Sequence, residues 1–131
     1  MHIRDITVRD AIIFTGDLKP GRFRSIGVVT GIFMHKGVGG EIYLQRLSTM
    51  SYYVLKVDAD GTVVESDVPW DVERSQFSLG PPVKASDAYV QDVIDSASRQ
   101  KGHEPFEREY VHPATIQLLE RIGRLDYITE Q

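Results

Sequence analysis

SIGVVTGIFMHKGVGGEIYLQRLSTMSYYVLKVDADGTVVESDV, residues 25–68, is the stretch on which the fold turns. Its runs SIGVVTGIFMH, EIYLQRL, SYYVLKVD and TVVESDV are short and rich in Val, Ile, Tyr and Phe, the residue types that suit a pleated surface. The joints between them are shorter still. HKGVGGE, residues 35–41, has strand patterns on both sides and reads as a hairpin tip. Asp60-Gly61 joins SYYVLKVD to TVVESDV and predicts a primed hairpin turn, whose central residues take positive φ. Tyr52 and Tyr53 alternate on their strand, so at most one of them belongs to the core.

Upstream, AIIFTGD (11–17) reads as one more strand, although Thr7 and Asp10 offer the alternative of a capping box opening a short helix. GDLKPGR then makes a turn around Pro20 and Gly21. Consecutive short connections imply an antiparallel meander. Five such strands either curl into an SH3-like small barrel or remain an open curved sheet.

The pattern changes near Gly80-Pro81-Pro82. In SDAYVQDVIDSASRQKG, Ser86 caps a helix on which Tyr89, Val90, Val93, Ile94 and Ala97 form one stripe. Asp87 at its start and Arg99 and Lys101 near its end suit the helix dipole, and Gly102 is placed to stop it. A second helix starts at His112-Pro113, turns Ile116, Leu118, Leu119 and Ile122 inward, and stops at Gly123. The tail RLDYITEQ carries no clear pattern. The expected architecture is therefore α+β: an antiparallel β-meander followed by two C-terminal amphipathic helices. It forms a single domain over 1–131, with a β-rich half (1–80) and a helical half (84–131) packed on the sheet.

Composition narrows the function classes. The chain has 131 residues, of which 41% are apolar and 26% charged, as in ordinary globular proteins. It contains no cysteine, which excludes disulfides, thiolate zinc sites and a cysteine nucleophile. The charged start MHIRDITVRD is not a signal peptide, and runs such as AIIF fall far short of the roughly 18 apolar residues of a membrane span. A soluble, cytoplasmic protein without membrane contact is expected. Net charge is −4, but residues 1–50 carry seven basic against four acidic side chains, and residues 51–131 eight against fifteen. An acidic chain has little non-specific affinity for nucleic acid.

Several short motifs invite chemistry. HEPFEREYVHP (103–113) begins like the zinc motif H-E-x-x-H, but has Glu107 where the second His belongs. Pro105 disfavours helix at Glu104, so His103 and Glu107 do not share a helical face. The stretch reads as a charged connector with His112 capping the second helix. A non-helical metal site of a small hydrolase or transferase, built from His103, Glu104, Glu107 and His112, is the alternative. The glycines of residues 37–40 lack the following helix that a phosphate loop needs. Asp58, Asp60 and Gly61 imitate a calcium loop, but Lys56 would occupy the first ligand position. No G-x-S-x-G elbow and no Ser-His-Asp grouping is present, and the four histidines, at 2, 35, 103 and 112, are scattered.

What remains is binding. Trp70, the only tryptophan, and the hairpin-tip residues His35 and Lys36 are the candidates for contact with a protein partner. Arg22, Phe23, Arg24, Lys36 and Arg46 would form the basic face of a nucleic-acid-binding barrel. An unpaired edge of the meander would let two copies pair into a homodimer. No cofactor is expected. The leading expectation is a non-enzymatic protein–protein interaction module, an adaptor, inhibitor or regulatory subunit, with nucleic-acid binding second.

Overall fold

In a computed structural model of the chain, residues 1–14, 26–63, 82–99 and 104–130 are described. Four strands make the meander: β1 (Ala11–Phe14), β2 (Gly27–His35), β3 (Gly39–Arg46) and β4 (Tyr52–Val57). A fifth, β5 (Pro82–Lys84), lies beside β1, so the spatial order is β4-β3-β2-β1-β5 with every pair antiparallel. Two helices follow, α1 (Asp87–Ser98) and α2 (Pro113–Arg121). The fold is α+β, a five-stranded antiparallel sheet followed by two C-terminal helices. The sheet is open: β4 and β5 are its edges, and it does not close into an SH3-like barrel.

The fifth strand is not the predicted one. Its residues come from the proline-rich joint that reads as a boundary, because an edge strand tolerates a proline at its first position, where no ladder donor is required. Of TVVESDV, Thr62 bridges His2 and Val63 bridges Val57, and residues 64–68 lie outside the described residues.

The hairpin tip at 36–38 joins β2 to β3 as expected, with the Val38 N–H donating to the His35 carbonyl at 3.0 Å. The Asp58–Gly61 corner also turns where predicted, but by another geometry. The Gly61 N–H donates to Asp58 O at 2.9 Å, and Asp58 N–H to Thr62 O at 2.8 Å. Gly61 has φ +91°, whereas Asp60 keeps a negative φ, so one left-handed residue closes this turn, and a primed turn, which needs positive φ at its first central residue, is excluded. Thr7 and Asp10 do bond to each other, the Thr7 N–H to Asp10 Oδ2 at 2.8 Å, yet no helix follows. The Asp10 carbonyl instead accepts from Val29 N–H at 2.8 Å, and the chain continues into β1.

Strand alternation sends side chains to two faces, and both are partly covered. Ile12, Phe14, Val29, Ile42, Leu44, Tyr53, Leu55 and Val57 cluster on one face with Ile6 and Val63. Ala11, Ile13 and Val28 cluster on the other with Val90, Val93 and Ile94 of α1 and Leu118 and Leu119 of α2. Both helices start as their sequences require, while α1 ends at Ser98, short of Gly102, which lies outside the described residues. Ser86 Oγ accepts from Tyr89 N–H at 3.1 Å at the start of α1. At the start of α2, His112 Nδ1 accepts from Ala114 N–H at 2.9 Å, with Pro113 in the first turn. The end of α2 is a Schellman motif: Gly123, at φ +75°, donates to Glu120 O at 3.1 Å, and Arg124 N–H to Leu119 O at 2.8 Å.

The unpatterned tail turns out to be core. Tyr127 and Ile128 are buried in the helix-side cluster, and the Tyr127 hydroxyl donates to Leu47 O at 2.7 Å. Burial pushes the Tyr127 phenol up to about 12. Ile128 forms a parallel bridge with Phe106, through Phe106 N–H to Tyr127 O at 3.1 Å and Thr129 N–H to Phe106 O at 2.8 Å.

Candidate functional site: an aromatic face beyond the helices

The helix-side face of the sheet is only half covered. Cross-strand register sets three rows on it: Phe33, Glu41 and Lys56; Gly31, Tyr43 and Val54; Val28, Gln45 and Tyr52. The third row meets the helical half. Buried Gln45 donates through Nε2 to Met50 O at 2.9 Å and Tyr110 O at 2.8 Å, and its Oε1 accepts from His112 N–H at 2.9 Å. This one amide ties β3 to the segment that leads into α2. It also satisfies three buried or half-buried backbone groups that would otherwise be costly.

Past that tie the face is open. Phe33 is 54% exposed, Tyr52 55% and Tyr110 65%, with Tyr43 and Val54 also in contact with solvent. Phe33 and Tyr43 pack edge to face, with ring centroids 5.3 Å apart. Gly31 makes this possible. A Cβ there would lie 3.0 Å from the Phe33 ring, so the missing side chain lets that ring lie down across the strand. Tyr52 packs against the His112 ring at 6.5 Å, which links the aromatic face to the cap of α2. Between the aromatic rings, a shallow cavity of about 460 Å³ is lined by Phe33, His35, Glu41 and Tyr43. The rings are thus held on paired strands by neighbours, and they project apolar area with few rotamers left to lose on contact.

The predicted site residues fall out as follows. His35 lies on this face, at the end of β2, and Lys36 is exposed in the adjoining hairpin tip. Arg46 points to the opposite face, is buried, and sets its guanidinium 5.3 Å from the Tyr53 ring centroid, so it is no part of an exposed basic surface. Trp70, Arg22, Phe23 and Arg24 lie outside the described residues, as does His103. Glu104 and Glu107 are exposed, and His112 Nδ1 is occupied as the α2 cap. Within 104–113 the chain acts as a connector: Phe106 pairs with the tail, and residues 108–110 form a 3-10 turn delivering His112 to Gln45. Among the described residues, no three His, Asp or Glu side chains group as a metal site requires. No helix among them is long and apolar enough to cross a membrane.

Phe33 and Tyr43 carry a sequence signal that is easy to pass over. In EIYLQ, Tyr43 has the parity of Glu41, opposite to Ile42 and Leu44; in GIFMH, Phe33 has the parity of His35. Polar residues of matching parity mark the wetter face. The pairing that puts both rings side by side is set by the register between strands, and no single strand encodes it.

No protein-family model, no curated protein and no solved structure matches the chain.

Proposed function

We propose that the chain is a non-enzymatic, cytoplasmic protein-binding module that docks a partner protein on the aromatic face of β2, β3 and β4. The observation that carries this reading is the edge-to-face pair of Phe33 and Tyr43, exposed on a strand pair beside Tyr52. Clustered aromatic residues supply most of the energy of protein interfaces, because each buries a large rigid area at small entropic cost. Contiguous exposed apolar area of this kind is unusual on a face with no role in binding. His35, Lys36, Glu41 and Lys56 edge the patch with both signs of charge and would form a polar rim around the rings.

The test compares the wild-type chain with a Phe33→Ser/Tyr43→Ser variant as bait in lysate of the source cells, with and without nuclease, read by mass spectrometry. A protein retained by the wild type and lost by the variant is the expected result. Equal recovery by both baits would overturn the assignment to this face. Recovery that vanishes with nuclease, and falls steeply as salt rises, would instead favour bases stacked on the same rings. The variant should melt within a few degrees of wild type, since exposed side chains contribute only about 0.5 kcal/mol each.

A further inference from the structure

We infer that the cavity between the Thr7–Asp10 turn and α2 is a binding site for a small dianionic oxyanion, a phosphate or a dicarboxylate, held between Arg9 and Arg121. The cavity encloses about 270 Å³ and is lined by Thr7, Val8, Arg9, Asp10, Gln117 and Arg121, together with Leu118. That volume suits a small anion rather than a nucleotide.

Arg9 carries the case. Its φ is +84°, a left-handed conformation that a branched or bulky side chain rarely adopts and that Gly or Asn would hold more easily. The sheet enforces it, since Arg9 N–H donates to Val29 O and Val29 N–H donates to Asp10 O, each at 2.8 Å. This backbone conformation sets the direction in which the Arg9 side chain leaves the sheet. The Arg9 guanidinium donates from Nη1 to Gln117 Oε1 at 3.1 Å and from Nε to Val8 O at 3.4 Å. Both acceptors are neutral. They orient the cation without neutralising it, and no carboxylate among the described residues pairs with it.

The one carboxylate on the cavity wall is paired with a cation through Oδ2. Asp10 Oδ2 accepts from Thr7 N–H at 2.8 Å and Thr7 Oγ1 at 3.3 Å, and lies 3.3 Å from Lys84 Nζ. Arg121 spends one nitrogen, Nη2, on exposed Asp87 at 2.9 Å and has the rest of its planar fork available. Two guanidinium groups, one of them uncompensated, therefore line a small polar hollow whose acid is balanced by a lysine. Planar forks of this kind bind carboxylate and phosphate oxygens in pairs, and two of them match the two oxygen edges that a phosphate or a dicarboxylate presents.

The experiment is a titration of the isotopically labelled full chain with inorganic phosphate, and separately with succinate, against sodium chloride at matched ionic strength. Saturable shifts of the Thr7–Asp10 backbone amides and the Gln117 side-chain amide are expected for at least one of the two, with affinity in about the millimolar range. The arm that saturates identifies the anion. Arg9→Gly separates binding from folding, because glycine accepts the same φ while removing the guanidinium. This variant should keep the wild-type spectrum elsewhere and bind at least tenfold more weakly. Shifts no larger than those in chloride, or an unchanged affinity in Arg9→Gly, would overturn the site.

Discussion

Gly61 is the corner on which the N-terminus and the β4 hairpin meet. A Cβ at this position would lie 2.6 Å from the His2 ring, whose Nε2 is 2.7 Å from Asp60 O. Its φ of +91° adds a second penalty for any other residue. Gly61→Ala should therefore cost about 2 kcal/mol, measured by urea unfolding. Made in a His2→Ala background, where ring and ring hydrogen bonds are absent from both chains, the same change should cost less, and the difference is the steric part due to the ring. The Asp60 carboxyl at this corner is held below the usual carboxylate range by the Thr62 backbone N–H first of all. Tyr127 makes a different test. Its phenol is raised to about 12 when folded, against roughly 10 when unfolded, so the unfolded chain loses its proton first. The stability it contributes is complete below pH 10 and is lost as pH rises from about 10 through 12. Wild type should lose on the order of 2–3 kcal/mol more than Tyr127→Phe over that interval, read from urea midpoints at each pH. Equal losses in both chains would show that the buried hydroxyl is not the cause.

At the scale of an element, α2 is short, and its ends matter as much as its buried stripe. His112 caps the start and Gly123 the end, while Leu118 and Leu119 supply the contact with the sheet. One feature works against it. Thr115 is fully buried in the first turn, and among the described residues its hydroxyl has no hydrogen-bond partner. A buried hydroxyl left unbonded costs free energy, whereas a methyl of the same shape does not. Thr115→Val should thus raise stability by about 1 kcal/mol, visible as a higher melting temperature. A fall in melting temperature would mean that the hydroxyl is satisfied in solution. The starts of both helices and the Gly123 end of α2 are legible in the sequence, since capping is a local transaction between residues two to five apart. The identity of the fifth strand is not legible. Pro82 looks like a breaker in isolation, and only the open edge of β1 gives Pro82–Lys84 a partner.

For the whole molecule, the decisive contacts join distant parts of the chain. Gln45 reaches Tyr110 and His112, Tyr127 reaches Leu47, and Phe106 pairs with Ile128. The tail is therefore structural. Ending the chain after Gly123 removes Tyr127 and Ile128 from the core and should cost on the order of 5 kcal/mol, comparable to the whole stability of a small domain. Circular dichroism of the shortened chain should show loss of the cooperative melt. A cooperative transition near the wild-type temperature would refute this role. The same long-range pairing creates the aromatic face, because Phe33 and Tyr43 belong to different strands and become neighbours only through their register.

Local sequence patterns carry the strands of the meander, the positions of its described corners, both helices with their N-caps, the Gly123 stop of α2, and the opposite facing of Tyr52 and Tyr53. All of these rest on alternation, turn chemistry or capping, which act within a few residues. Assembly of the fold sets that the sheet stays open, that Pro82–Lys84 completes it, that Arg46 is buried, and that the tail is core. It also sets which half of the sheet the helices leave bare. Those outcomes depend on which surfaces remain to be covered once the local elements exist, and burial of that kind is a property of the assembled molecule.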